Sequence, residues 1–197
     1  MINWQENLTL KNENVGLIPL EKSHRAALLE AAADGELWDL WFTSVPSERT
    51  IDAYIETALN EQEQKKAIPF IIINTKNNQL IGSTRFCSID ENNRRLEIGY
   101  TWYAQSFQRT GINTNCKYLL LQYAFENLNC IAVEFKTHFF NYRSRDAITR
   151  LGARQAGILR NHRIGVNGVL RDTVIFSIIE SEWKAVKQNL EFKMNRV

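Results

Sequence analysis

A short polar loop directly before an apolar helical pattern is the part of the sequence best suited to hold an anion. The loop reads QRTGIN over residues 108–113, and residues 112–125 show the periodicity of a helix. The first turn of a helix carries unpaired N–H donors and roughly half a positive charge, which suits a phosphate or pyrophosphate. Gly111 allows close approach of the backbone, Arg109 adds a cation, and Lys117 lies one turn further on. The same pattern also fits a tight strand-to-helix turn with a solvated arginine.

Other residue types that bind metals or act as nucleophiles are scattered through the chain. The histidines lack the spacing that would support a zinc site: His24, His138 and His162. The cysteines are odd in number and form no C-x-x-C pair, which predicts reduced thiols in a cytoplasmic protein: Cys87, Cys116 and Cys130. Cys116 falls on the apolar face of the predicted helix, so we interpret it as a core residue.

The composition is that of a soluble globular protein. The chain has 197 residues, of which 44% are hydrophobic and 23% charged, and this predicts a single domain over residues 1–197. No apolar run approaches the roughly 20 residues that span a bilayer, and the polar N-terminus shows no signal pattern. We therefore expect no membrane association.

Charge is distributed unevenly along the chain. Residues 1–98 hold 10 Lys/Arg and 15 Asp/Glu, whereas residues 99–197 hold 14 and 7. The second half is therefore predicted to attract an anion. No dense basic cluster alternates with aromatic residues, so we expect no nucleic-acid partner, and a nucleic-acid-binding module is kept only as a rival interpretation.

Hydrophobic periodicity and turn residues predict the elements that must position these residues. Helices are expected from Ser23 to Asp34, after Pro46, from 112 onward, within 141–153 and from Ser181. Strands are expected at 17–20, 68–74, 80–89, 95–103, 131–139, 156–164 and 171–180, the last two joined by a turn at Asn167 and Gly168. This order predicts an α/β fold with a mixed sheet.

Three segments together resemble the GNAT superfamily of acyl-CoA-dependent N-acetyltransferases, and most closely its RimJ/RimL-like (ribosomal-protein-alanine acetyltransferase) branch. They are EIGYTW from Glu97, QRTGIN from Gln108 and NYRSRDAITRLGA from Asn141. The family signature [QR]-x-x-G-x-[GA] falls on Gln108, Gly111 and Asn113, where asparagine replaces the usual Gly or Ala. The resemblance covers roughly residues 10–190.

The resemblance implies a mixed, mostly antiparallel twisted sheet flanked by helices, with two central strands that splay apart. The pantetheine arm of acetyl-CoA would lie in the splay, bound by the backbone of Tyr100, Thr101 and Trp102. The pyrophosphate would be bound at the loop, by Gln108, Arg109, Thr110, Gly111, Ile112, Asn113 and Thr114. Asn141 matches a position that contacts the cofactor or an ordered water.

The implied reaction is direct attack of an amine on the acetyl thioester. It needs a deprotonated amine, a donor to the carbonyl oxygen and a proton for the departing thiolate. An α-amine, with a pKa of about 7.7–8.0, needs less help than a lysine ε-amine near about 10.4. A protein or peptide N-terminus, or a small-molecule amine, is therefore the expected acceptor.

Two side chains are predicted to move the protons. Glu97 is the predicted base, acting directly or through water, and its alternative role is a solvent-facing or Arg94/Arg95-paired carboxylate. The tyrosine that donates a proton in many family members is replaced by Ile148, which has no proton to give. Ser144 resembles a serine of the RimJ/RimL-like branch and is the predicted acid, with helix capping as the alternative. Tyr142 is a reserve acid, and the implied oxyanion donor is a backbone N–H near Thr101 or Trp102.

The acceptor pocket is expected between the N-terminal helices and the final hairpin. Candidate residues are Trp38, Trp41, Phe42 and His138, where the aromatics equally fit a helix–sheet core and His138 is an alternative base. Basic hairpin residues fit either an acidic group on the acceptor or a solvated face: Arg160, His162 and Arg163. Proteins of this family often dimerise, so a homodimer is one option. A non-catalytic acyl-CoA-binding or sensing protein is the rival interpretation that Ile148 motivates.

Overall fold

The computed structural model describes residues 8–165 and 168–195 of the chain. Its strands are β1 Leu10–Lys11, β2 Val15–Pro19, β3 Ile68–Asn74, β4 Gln79–Asp90, β5 Arg95–Tyr103, β6 Ala132–His138, β7 Arg154–Ile164 and β8 Leu170–Ile179. They form one sheet in the order β1-β2-β3-β4-β5-β6-β8-β7. The pairs are antiparallel except for β5 and β6, which are parallel. The predicted mixed, mostly antiparallel sheet is confirmed.

Five α-helices flank the sheet in the described part of the chain. They are α1 Arg25–Ala33, α2 Ile51–Glu63, α3 Ile112–Gln122, α4 Tyr142–Leu151 and α5 Glu180–Met194. A π-helical turn, Tyr123–Asn127, follows α3, and short 3₁₀ turns lie at Lys22–His24, Leu37–Asp39 and Gln105–Phe107. Among these described helices, none is both long and apolar enough to cross a membrane.

The two faces of the sheet bury separate clusters of apolar side chains. One cluster joins α1 and α2 to the sheet through residues such as Leu28, Ile55 and Trp102. The larger cluster joins α3, α4 and α5 to the other face through residues such as Leu120 and Ile148. Any residue of β5 or β6 therefore points either toward the α1/α2 side or toward the α3 side.

The observed element bounds agree closely with the predicted ones, with one informative difference in β1. α2 begins at Ile51, the first residue of its predicted apolar pattern, after a turn in which the Ser47 N–H donates to Thr50 Oγ1 at 2.9 Å. The short strand β1 was not predicted, since a two-residue pairing leaves no periodic signal. Gly152 ends α4 at φ 105°, a conformation that favours glycine. Asn167, assigned to the hairpin turn, lies outside the described residues.

The three cysteines are free and buried. Cys116 lies fully within the larger cluster, which confirms its interpretation as a core residue. Burial raises the pKa of the Cys116 thiol to about 12, so it carries little nucleophilic thiolate near neutral pH.

Candidate active site

A gap opens in the middle of the sheet between β5 and β6. Their parallel pairing is limited to Arg95 with Ala132, Leu96 with Val133 and Glu97 with Glu134. Beyond Glu97 the strands separate, although β5 continues to Tyr103 and β6 to His138. The splay implied by the resemblance is thus present, and it leaves one backbone edge of β5 available to an extended ligand.

A bulge interrupts β5 beside this gap. Ser83 pairs with Trp102 and Arg85 with Gly99, so Tyr100 and Thr101 together oppose Thr84. Tyr100 has a φ of 52°, which is unusual for a residue with a side chain. The guanidinium of the buried Arg85 lies 4.2 Å from the centre of the Tyr100 ring. Bulges of this kind redirect backbone groups and often occur next to active sites.

The loop before α3 presents a group of unpaired amides. Arg109 has a φ of 63° and Gly111 a φ of 84°, so both adopt the left-handed conformation. Among the described residues, no acceptor is bonded to the N–H groups of residues 109–114, and the first paired amide is Asn115, which donates to the Gly111 carbonyl at 3.1 Å. A row of free amides at a helix N-terminus is a suitable anion site.

The polar side chains of this loop mostly hold the loop itself. Gln108 Nε2 donates to the Tyr103 carbonyl at 3.0 Å, and Thr110 Oγ1 donates to the Phe107 carbonyl at 2.7 Å. The Tyr103 hydroxyl donates to Asn113 Oδ1 at 3.0 Å. Asn113, which departs from the family signature, therefore turns its side chain back onto β5. The side chains of Gln108 and Asn113 position the backbone, and the backbone amides remain available for a ligand.

Lys117 does not extend the cationic loop as its position in the sequence suggested. It is 4% exposed, and its Nζ donates to Thr101 Oγ1 at 2.6 Å, while the Phe135 ring of β6 lies 6.0 Å away. Burial lowers the pKa of Lys117 to about 7. The amine thus lies on the α3 side of the gap, between the two diverging strands, and no ion pair to it is present among the described residues.

The first turn of α4 carries the predicted acid. Asn141 caps the helix by accepting a hydrogen bond at Oδ1 from the Ser144 N–H at 3.1 Å. The cap is therefore Asn141 and not the Ser144 hydroxyl, which has no hydrogen-bond partner within the described chain. Ile148 is buried in the larger cluster, where a tyrosine hydroxyl would need a partner.

Glu97 is ion-paired, but with a different partner from the one considered from the sequence. Its Oε2 accepts from Lys136 Nζ at 2.9 Å and from Ser88 Oγ at 3.3 Å, whereas Arg95 bonds Glu134. Its Oε1 has no hydrogen-bond partner among the described residues and lies 3.1 Å from where a Cβ on Gly99 would be. The free oxygen therefore lies next to the start of the β5 bulge.

The imidazole of His138 accepts a hydrogen bond that fixes its tautomer. The Phe140 N–H donates to its Nδ1 at 3.0 Å, so the neutral ring carries its proton on Nε2. Burial, aided by the charge of Arg171, lowers the pKa of His138 and favours this neutral form. A base needs a free lone pair at Nε2, which this tautomer lacks. The alternative assignment of His138 as the base is thus not supported by its hydrogen bonding.

The predicted acceptor-site aromatics divide into two places. Trp41 packs edge-on against His138 at 4.8 Å and contacts Phe42 at 5.6 Å, and Phe140 completes this group. Trp38 instead packs against the α1/α2 cluster and lines a separate cleft of about 670 Å³. The structure therefore brings Trp41, Phe42 and His138 together and leaves Trp38 apart from them.

The basic residues of the hairpin are not equivalent. Arg160 is paired with Asp172 at 2.6 Å, and His162 Nδ1 lies 3.1 Å from Thr173 Oγ1. Arg163 instead faces Arg171 across the hairpin. Arg171 was missed in the sequence, where its position at the head of an alternating strand was the available signal. Lys136 and Arg85 were missed as well, although a charged residue inside an apolar strand is a sign of a buried polar role.

Comparison with known proteins is consistent with this geometry. The acetyltransferase (GNAT) domain family matches residues 14–154. The chain is 30% identical over 184 residues to the "Putative ribosomal N-acetyltransferase YdaF" of Bacillus subtilis (strain 168), covering 89% of this chain and 97% of that protein. A GCN5-related N-acetyltransferase structure from Brucella melitensis has a TM-score of 0.84 at 27% identity, covering 98% of this chain and 90% of that one. Mycobacterium smegmatis RimJ, solved with CoA-disulfide, has the same fold, with a TM-score of 0.77 at 21% identity over 95% of this chain and 93% of that one.

These findings agree with the splayed sheet, the β5 bulge and the amide-lined loop. The family match includes all three features, and the YdaF relative spans nearly the whole chain. The protein therefore belongs to the GNAT family of N-acetyltransferases, and its similarity to a relative named as a ribosomal N-acetyltransferase agrees with the predicted branch.

Proposed function

We propose that this protein transfers the acetyl group of acetyl-CoA directly to a primary amine, either a protein or peptide N-terminal α-amine or a small-molecule amine. The proposal is carried by the gap between β5 and β6, which leads to the unpaired amides of residues 109–114. The name of YdaF and the CoA-disulfide bound to M. smegmatis RimJ, both properties of those proteins, lend support.

The residues present fit the chemistry of coenzyme A. Its pyrophosphate is an anion that matches the amides at the start of α3, with Arg109 exposed beside them. Its pantetheine arm contains amides that pair with a strand edge as an extended peptide does, and the β5 edge beyond Glu97 is unpaired with β6. The opening widens from Glu97 toward Tyr103, so the reactive end of the arm is assigned to the Glu97 end.

Glu97 is proposed to receive the proton of the attacking amine. Lys136 and Ser88 both bind Oε2, which leaves Oε1 free to accept a proton directly or through water. The ion pair with Lys136 fixes the direction of the carboxylate. Attack forms the carbon–nitrogen bond, and the amine loses one proton as it becomes an amide.

Ser144 is proposed to protonate the thiolate when the carbon–sulfur bond breaks. Its hydroxyl has no hydrogen-bond partner in the described chain, and Asn141 already caps the helix, so the hydroxyl is available. The proton given to sulfur balances the proton taken from the amine, and solvent restores both side chains. The products are the N-acetylated amine and free coenzyme A.

The test is release of free thiol from acetyl-CoA across a panel of amines and N-terminal peptides. Ser144→Ala should lower kcat by about 100-fold or more, the usual contribution of a general acid, with unchanged acetyl-CoA affinity. Ser181→Ala is the matched control, because Ser181 lies in the first turn of α5 and is exposed. Binding of acetyl-CoA without turnover on any amine would instead favour an acyl-CoA-sensing protein.

The proposal extends to the cellular setting. The described cysteines are unpaired thiols, which fits a reducing compartment such as the cytoplasm. Thiol quantification under denaturing conditions on protein isolated without reductant checks this: three free thiols per chain are expected.

A further inference from the structure

Two arginines face each other next to the turn of the β7–β8 hairpin. Arg163 and Arg171 are register partners, so both side chains project from the same face of the sheet. Like charges directly opposite each other destabilise a strand pair. No carboxylate in the described chain pairs with either guanidinium, although other basic residues of the hairpin do have partners: Arg154 with Glu182, and Arg160 with Asp172.

Arg171 also carries an unmet hydrogen-bonding demand. Its Nε is buried and has no acceptor in the described part of the chain. Burial and the neighbouring charge of Arg163 both lower the pKa of Arg171. Arg85 has a buried, unpaired Nε too, but it donates to the Tyr54 carbonyl at 3.2 Å and stacks on Tyr100, so its guanidinium is otherwise engaged. Within the described part of the chain, Arg171 has no such contacts.

The strand register brings this arginine pair to the acceptor side of the gap. His138 of β6 pairs with Thr173 of β8, which lies two residues from Arg171 and therefore on the same face. Trp41 packs on His138 from that face. Electrostatics agree, because the charge of Arg171 helps lower the pKa of His138, and Arg163 opposes the rise that burial imposes on the pKa of Tyr100.

We propose that Arg163 and Arg171 bind an anionic group, a carboxylate or a phosphate, that the acetyl acceptor carries close to its amine. The inference rests on the proposed function and narrows its acceptor to an acidic amine. An oxyanion placed between the guanidiniums relieves their repulsion and satisfies the buried Nε. A neutral acceptor of the same shape would leave the repulsion and the unpaired Nε in place. Such a site discriminates strongly between acidic and neutral acceptors.

Pairs of acceptors of similar shape, one acidic and one neutral, separate the effect of the acidic group on kcat/KM from the effect of shape. One arm compares peptides beginning Ala-Glu with peptides beginning Ala-Gln, and the other compares phosphoethanolamine with ethanolamine. The acidic member of at least one pair should have a kcat/KM higher by about 10- to 100-fold, the range expected for charge-assisted hydrogen bonds. The arm with the larger ratio identifies carboxylate or phosphate as the recognised group.

Variants then test whether the arginines are responsible. Arg171→Gln and Arg163→Gln should each remove most of the preference, and Arg171→Lys should restore part of it. Arg94→Gln, at an exposed turn residue, is the control variant and should keep the full preference for acidic acceptors. Acetyl-CoA affinity should be unchanged in all four, and Arg171→Gln should melt at a higher temperature, because it removes the like-charge repulsion.

The outcomes distinguish the two levels of the hypothesis. Turnover with equal kcat/KM for acidic and neutral members of both pairs overturns the arginine proposal and leaves the acetyltransferase proposal standing. An acidic preference that survives both arginine variants also overturns it. Absence of turnover with every amine contradicts the proposed function itself.

Discussion

The two sides of the gap between β5 and β6 present different chemical groups, backbone on one side and side chains on the other. On the side proposed for acetyl-CoA, the available groups belong to the backbone: the β5 edge and the amides of residues 109–114. On the side proposed for the acceptor, they are side chains: Glu97, His138, Trp41 and the arginine pair. The backbone side is specified by conformation, whereas the side-chain side is specified by the identity of each residue.

This difference separates what is common to the family from what is particular to this chain. A backbone site accepts many side chains provided that φ and ψ are preserved, so it can hold the same cosubstrate throughout a family. A side-chain site changes its ligand with each substitution. The contrast predicts that conservative changes on the acceptor side alter turnover, while on the cosubstrate side only changes in backbone conformation matter.

The largest expected effect is on the acceptor side. Glu97→Gln should lower kcat by about 100-fold or more, because the amide cannot take the amine proton, while the acetyl-CoA dissociation constant stays the same. Steady-state kinetics and calorimetry measure the two quantities. Glu134→Gln is the control, since Glu134 is the register partner of Glu97 on β6. An equal loss in both variants would show that the charge cluster matters rather than this carboxylate.

On the cosubstrate side, a change of backbone should matter most. Gly111→Val places a β-branched side chain at a φ of 84° and should weaken acetyl-CoA binding by about 10- to 100-fold, given a strain of about 1–3 kcal/mol. Gly157→Val is the control, because nothing lies within 4 Å of a Cβ added at Gly157. Unchanged affinity in Gly111→Val would remove the loop from the binding site.

The buried amine of Lys117, on the α3 side of the gap, predicts a pH-dependent effect on stability. Its folded pKa of about 7 lies below the ordinary value of 10.5, so the unfolded chain binds more protons between these pH values. The resulting penalty is complete below pH 7 and diminishes as the pH rises toward 10.5. Lys117→Met should therefore stabilise the fold by on the order of 2 kcal/mol at pH 6 and by less at pH 9.

Urea unfolding at the two pH values measures this difference. Lys184→Met on the exposed face of α5 is the control and should show no such pH dependence. A gain of equal size at both pH values would mean that Lys117 is not strained by burial of its charge.

The smallest expected effect concerns the departure from the family signature. Asn113→Ala introduces a residue that the signature allows and removes only the hydrogen bond from the Tyr103 hydroxyl. The acetyl-CoA dissociation constant should change by about threefold or less, because the backbone amides remain in place. Calorimetry with acetyl-CoA checks this, and a much larger loss would mean that the side chain itself contacts the ligand.

The element order and the loop before α3 were largely predictable from the sequence. The apolar run of β3, the alternation in β5 and the glycine before α3 are local signals, and each one specifies a local conformation. The motif resemblance added the splay, which no single segment encodes.

The acceptor side was predicted less well, because its features depend on contacts between distant segments. The bulge at Tyr100 depends on the register of β4 against β5, and the partner of Glu97 is Lys136 of β6. The Arg163–Arg171 pair depends on the hairpin register. None of these pairings can be derived from periodicity along one strand.

The three-pair contact between β5 and β6 has a consequence for assembly. An exposed strand edge can pair with strands of other chains, and long flat edges promote aggregation into fibrils. Here the unpaired edge of β5 lies inside the gap, which is closed at Glu97, so a second sheet cannot pair along it. The protein can thus keep an unpaired strand edge in the centre of its sheet without promoting aggregation. Only a narrow, extended ligand can form hydrogen bonds along this edge.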